Sequence, residues 1–246
     1  MMQKLLSKTR QAINHFDMIE ENDKIAVGLS GGKDSVTLLH ILKNFQKFSP
    51  VKFELIAITL NPGGVDNGPL HKLCKEIDVP FYEIQTDIAK IVFDIRNEKN
   101  PCSLCAKLRR GALNDAAQKL GCTKVALGHH KDDAVETFVM AMFYEGRVNC
   151  FSPKSYMEKY NLTIIRPMVY IDEYMIKKAV KDYNYPIIKN PCPADGHTKR
   201  QDVKMLIKNL NGTFPNLKDK LFSALNNKEQ LFIWDKEEID KINSKI

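Results

Sequence analysis

The chain has 246 residues, 43% hydrophobic and 27% charged, which suits one large water-soluble domain, or a domain with an appendage, around a sizeable core. Its net charge of +7 favours an acidic partner, nucleic acid first, although solvated lysine faces produce the same balance. No apolar run reaches the length of a membrane span, Lys4, Lys8 and Arg10 are not followed by the apolar core of a signal peptide, and six cysteines do not make a secreted disulfide scaffold, so a cytoplasmic protein with no membrane partner is expected.

Leu5, Ile13 and Phe16 fall on one face of an N-terminal helix within residues 1–23. KIAVGL (24–29) reads as a buried strand, and DSVTLLHILKNF after it as a helix. FELIAITL (53–60) is a second strand, followed by NPGG and a helical stretch containing HKLCKEI. PFYEIQT (80–86) is a third strand, CAKLRRGALNDAAQKLG (105–121) a helix stopped by Gly121, KVALG (124–128) a fourth strand, DAVETFVMAMFYEG (133–146) a helix, and LTIIRP (162–167) holds a fifth short strand. From about residue 172 the pattern is helical and basic. The alternation predicts an α/β fold with a parallel sheet covered by helices on both faces over 24–171, and a mostly helical C-terminal extension over 172–246. In such sheets ligands bind beyond the carboxyl ends of the strands. SGGKDS, NPGG and HHKDD all fall at such ends.

GLSGGKDS (28–35) looks like a Walker A loop and fails as one. Gly28 is one residue too close to Gly32-Lys33, and Asp34 stands where the magnesium-binding hydroxyl belongs. Gly31 and Gly32 permit a sharp turn with N–H groups directed at a phosphate, Ser30 and Ser35 add hydroxyls, Lys33 adds a positive charge, and the helix start adds its dipole. A glycine turn capped by Asp34 is the plain alternative.

Cys102 and Cys105, in NPCSLCAKLRRG, can share a metal, form a redox pair or be buried hydrophobes. Cys192 lies between two prolines in NPCPADGHTKR, where a helix cannot continue, and the same Asn-Pro-Cys precedes both segments. Three cysteines leave one coordination position of a metal open, which suits a catalytic cluster better than a closed structural site; Cys192 packing in a rigid turn is the plain alternative. Cys74, Cys122 and Cys150 read as structural. In GHHKDDAVET (128–137), His129 and His130 are adjacent and point apart, and Asp133 with Glu136 forms an Asp-x-x-Glu capping box. Lys107, Arg109 and Arg110 follow the cysteine pair, and Arg166, Lys199 and Arg200 are further basic candidates for phosphate contact or an ordinary solvated face.

SGGKDS is the signature of the PP-loop ATPases, and with C-S-L-C-A-x-L-R-R-G and A-L-G-H-H-x-D-D-x-x-E-T the chain resembles the tRNA 2-thiocytidine synthetases of that superfamily over about residues 24–200. The resemblance implies a Rossmann-like PP-loop fold of the adenine nucleotide alpha hydrolase kind and cleavage of ATP between its α and β phosphates. ATP then lies on Ser30, Gly31, Gly32, Lys33, Asp34, Ser35, Gly128 and His129, with Mg2+ on Asp34. It implies catalytic roles for Asp34, Arg109 and Asp133, and a [4Fe–4S] cluster on Cys102, Cys105 and Cys192, whose free iron carries the sulfide to be transferred. The expected reaction is thiolation of a tRNA cytidine at C2, position 32, with a sulfur donor such as a cysteine desulfurase and a homodimeric state. Cys192 sits in a local sequence unlike that of the best-known members. Lysidine synthesis has no use for the cysteine trio, 2-thiouridine enzymes of the related branch carry extra zinc modules missing here, and a non-catalytic nucleotide or sulfur carrier is the rival from another class.

Overall fold

The computed structural model describes residues 1–96, 101–188 and 198–227, without the side chains of positions 93, 94 and 102. Six strands form one sheet in the order β3-β2-β1-β4-β6-β5. They are β1 (Asp23–Gly28), β2 (Phe53–Asn61), β3 (Phe81–Gln85), β4 (Lys124–Ala126), β5 (Lys154–Met157) and β6 (Leu162–Ile165). All neighbouring pairs are parallel except β5 with β6. Beyond the expected parallel core, the sheet therefore has an antiparallel edge strand. K-S-Y-M is short and Tyr156 exposed, so it carries no apolar run by which to announce itself.

The strands alternate their side chains between two cores. Ile25, Val27, Leu55 and Ala57 face one side, with α1 (Met2–His15), α2 (Lys33–Phe45) and α6 (Glu173–Tyr183) supplying Leu5, Leu39, Leu42 and Ile176. Ala26, Ile56, Ile58 and Val125 face the other, against Ala116 and Ala117 of α4 (Pro101–Lys119). Each fully buried leucine, such as Leu39, contributes about 2 kcal/mol by leaving water. Cys74 on α3 (Gly68–Glu76) and Cys122 are buried in these layers, as expected of structural thiols.

Two helix starts lie two or more residues earlier than the sequence reading places them. α4 begins at Pro101 rather than at 105, because proline at a first helical position loses no intrahelical bond; Cys102 and Cys105 thus share its first turn. A single π-helical turn spans Lys90–Ile95. α5 (Lys131–Glu145) begins two residues before the expected start, and its capping box is not Asp133 with Glu136. His130 is the N-cap and Asp133 the reciprocal partner, so Glu136 is left for ion pairing within the protein. After α6 the described chain resumes at α7 (Lys199–Thr213) and α8 (Leu217–Asn226). Among the described residues no helix is long and apolar enough to cross a membrane.

Candidate active site

From β1 the chain adds β2 and then β3 on one side, and returns to place β4 on the other. The crevice at this reversal, beyond the ends of β1 and β4, is where open α/β sheets bind ligands. The two loops that meet there are residues 29–32 and 127–130.

The first loop is held by its own side chains. Ser35 Oγ donates to the Gly32 carbonyl at 3.0 Å and receives the Ser30 N–H at 3.2 Å. Gly31 sits at φ +79°, and a Cβ there would lie 2.9 Å from Cβ of Ile188, whose N–H donates to the Gly31 carbonyl at 2.9 Å. Gly32 caps α2 through its backbone alone, with no side-chain cap hydrogen bond. A helix start in this condition favours an anion.

Lys33 Nζ is 2.9 Å from Asp34 and 3.2 Å from Glu173. Burial opposes its ammonium, but Asp34 and then Glu173 outweigh that and hold its pKa above the ordinary value. Glu173 also meets Lys204 at 2.8 Å and Lys177 at 3.0 Å. Burial pushes its carboxyl pKa up, yet Lys204, Lys177 and Lys33 together pull it down to about 2. Nothing in the local sequence marks Glu173 as a loop partner, because the contact exists only once α6 packs on α2.

The second loop touches the first through Gly128. A Cβ on it would stand 3.0 Å from the Asp34 carbonyl carbon and 3.1 Å from the Ser35 nitrogen, both backbone atoms. Gly128→Ala should therefore push the first turn of α2 away, destabilising the chain by about 1–3 kcal/mol, which denaturant melts check.

The two histidines do point apart. His130, 3% exposed, receives the Asp133 N–H on Nδ1 at 3.4 Å, which leaves Nε2 facing Asp34 at 3.5 Å and Asp133 at 3.4 Å. Asp133 Oδ2 closes the cap by accepting the His130 N–H at 3.0 Å, and its other oxygen lies 3.5 Å from Arg200. Asp34 Oδ1 has His130 Nε2 as its neighbour at 3.5 Å, but it is buried without a hydrogen bond of acceptable geometry among the described residues. His129 accepts from Arg166 Nε at 3.2 Å and packs on Phe151.

Burial, then the nearby Arg166, lowers the His129 pKa to about 4, and burial alone does the same to His40, stacked on Tyr185. Both imidazoles therefore bind protons less readily folded than unfolded, where the ordinary value is 6.5. Their contribution to stability is present above pH 6.5 and lost as pH falls toward 4. Thermal melts should show a loss of about 2 kcal/mol per histidine across that window, and His40→Phe should flatten the slope.

Between these loops and α4 lies a cleft of about 330 Å3. Leu29 and Ser30 of the first loop and His129 of the second line it. Ile58, Leu60 and Leu127 form apolar walls, and Ala106, Arg109, Arg110, Leu113 and Asn114 close it from α4. Arg109 and Arg110 are exposed, and Arg110 acts with burial to lower the Arg166 pKa to about 10, burial being the larger cause. Lys107 is exposed outside the lining, Arg200 pairs with Glu136 at 3.3 Å, and Lys199 lies over the Tyr144 ring.

Cys105 is half-buried on the residue before Ala106 of the cleft wall, and position 102 is one turn earlier on the same helix face. The predicted ligand Cys192 lies outside the described residues; the chain enters that segment from Ile188, on the first loop, and leaves it at Thr198, the N-cap of α7. Among the described residues no three His, Cys, Asp or Glu side chains group to hold a metal. Asn114, Glu173 and Ile188 went unread as site residues in the sequence.

A Ser-Gly-Gly-Lys-Asp-Ser turn after the central strand, braced by a Gly-His-His turn at the switch point, defines a PP-loop nucleotide-binding protein. The family model of the PP-loop domain matches residues 1–210. The tRNA-cytidine(32) 2-sulfurtransferase of Syntrophotalea carbinolica is 38% identical over 96% of this chain and 93% of its own length. That of Alkalilimnicola ehrlichii is 39% identical over 98% and 79%. Among solved structures, the U34-tRNA thiolase NcsA from Methanococcus maripaludis, with its [4Fe-4S] cluster, superposes with a TM-score of 0.74 at 26% identity, covering 92% of this chain and 77% of that one. The chain belongs to the tRNA-cytidine(32) 2-sulfurtransferase family.

Proposed function

We propose that the chain is an ATP-dependent tRNA thiolase, which adenylates the C2 oxygen of a cytidine at position 32 and replaces that oxygen with sulfur. The observation that carries this reading is a single cleft bounded by the PP-loop on one side and, on the other, by the helix whose first turn bears Cys102 and Cys105.

The loop N–H groups, Ser30, Ser35 and Lys33 grip the phosphates. The C2 oxygen attacks the α-phosphorus, pyrophosphate leaves, and AMP becomes bonded through that oxygen. A sulfur nucleophile then forms the C2–S bond as the C2–O bond to AMP breaks. Arg109 and Arg110, exposed along the cleft, neutralise charge on the adenylated base and on tRNA phosphate. Asp34 fits Mg2+, since its buried Oδ1 lacks a hydrogen bond beside the phosphate loop. Asp133 serves the same centre by fixing the 128–130 turn and facing His130 opposite Asp34. His129, kept neutral by burial and Arg166, lines the cleft without adding charge.

The donor set also fits an iron–sulfur cluster. Cys74, Cys122 and Cys150 have thiol pKa values raised to about 11, with burial the largest cause, so they stay protonated. The pair on α4 sits instead in the first turn of that helix. Cys102, Cys105 and Cys192 would hold the cluster, which supplies the sulfur-transfer chemistry when bound. A cysteine desulfurase is the kind of enzyme that would supply the sulfur, and a homodimer is the expected assembly.

The direct test incubates the enzyme with ATP, a sulfide source and tRNA carrying cytidine or uridine at position 32. AMP and pyrophosphate should appear with the cytidine substrate. Release of ADP and orthophosphate, or equal turnover of both tRNAs, would refute the assignment.

A further inference from the structure

We propose that Asn114 is a specificity-determining residue that reads the adenine ring of ATP within the cleft behind the PP-loop; the inference rests on the proposed ATP site. Asn114 is 1% exposed, and neither its Oδ1 nor its Nδ2 has a hydrogen-bond partner among the described residues. Buried amides are normally paired, and an orphaned one lowers stability until something pairs with it. This one lines the same cleft as Ser30.

The surroundings state what would complete the amide. Leu29, Ile58, Leu60, Leu113 and Leu127 offer apolar contact to a flat ring and no side-chain hydrogen bond. The amide offers an acceptor and a donor side by side. A base edge with an amino group beside a ring nitrogen matches both at once, and adenine presents such an edge. Cytosine presents the same pair, so two sources share this chemistry: the adenine of ATP and the target base of the tRNA.

Position along α4 favours adenine. Arg109 and Arg110 mark the exposed stretch of the wall, whereas Asn114 is buried more than a turn further along the helix. A base carried by a macromolecule meets the exposed arginines first. The adenine of ATP is tethered through its ribose to phosphates on the loop, and that loop contributes Ser30 to this cleft.

The test uses the full chain and compares ATP with purine riboside 5′-triphosphate, which lacks the 6-amino group. The wild type should bind ATP roughly tenfold or more tightly than the analogue. Asn114→Leu should lose that preference, binding both as weakly as the wild type binds the analogue, while its nucleotide-free melting temperature stays level or rises because an orphaned amide is gone. Asn114→Ala, which removes both the acceptor and the donor, should also lose the preference, and serves if the leucine variant does not fold. An unchanged preference in a folded variant overturns the proposal, whatever happens to stability. Unchanged ATP affinity with lost discrimination of cytidine from uridine in tRNA also overturns it, because the amide then reads the target base. A wild type that binds neither triphosphate would instead sink the ATP site itself, and the proposal with it.

Discussion

Cys105→Ala is expected to abolish tRNA thiolation while leaving ATP affinity within about twofold and lowering stability by about 1 kcal/mol or less. Cys105 is on the first turn of α4, half-buried next to the cleft wall, and outside the two apolar cores. Removing its sulfur would take away a donor that the proposed function assigns to the cluster, and little packing. Cys74→Ala gives the opposite result. Its side chain is wholly buried and its thiol pKa is raised to about 11 by burial, so it acts as a small hydrophobe. Losing it costs about 1–2 kcal/mol of stability and leaves thiolation intact. Paired measurements of nucleoside thiolation, ATP binding and denaturant midpoint separate the two. Equal loss of thiolation in both variants at matched folded fraction would show that the α4 pair has no special role.

Asp34→Asn is the second large effect, a fall in tRNA-dependent AMP formation of about a hundredfold or more. The substitution keeps size and hydrogen-bonding capacity but removes the charge beside the phosphate loop. Asp34 sits 2.9 Å from Lys33 and 3.5 Å from His130, so it also balances the local positive charge. The variant should fold, because the Gly128 contact is with the backbone of residues 34 and 35, which the change leaves alone. Raising the magnesium concentration should recover part of the rate if the lost charge holds the metal. A variant at wild-type rate would transfer the metal role elsewhere.

The parts legible in the sequence share one property: their cause is local. A glycine pair between a β-branched run and a helix dictates a phosphate-binding turn, and the strand–helix alternation dictates the parallel core. The exceptions have tertiary causes. Glu173 reads as an ordinary helix-start acid, and only the packing of α6 brings it to Lys33. Asn114 reads as a polar residue on a helix; its burial depends on α4 lying against β1, β2 and β4. At α5, Asp-x-x-Glu matched a familiar capping pattern, but a histidine ring one turn earlier caps the helix by accepting the Asp133 N–H, leaving Glu136 to pair with Arg200. The start of α4 was announced by Pro101, although the sequence reading began the helix at Cys105.

The most direct measurement is mass spectrometry of nucleosides from mapped anticodon-loop fragments of tRNA, in a strain lacking the gene and in its parent. Loss of 2-thiocytidine at position 32, restored by the wild-type chain and not by Cys105→Ala, is the predicted result. Persistence of 2-thiocytidine, with lysidine or a thiouridine disappearing in its place, would leave the PP-loop fold standing and contradict the assigned substrate.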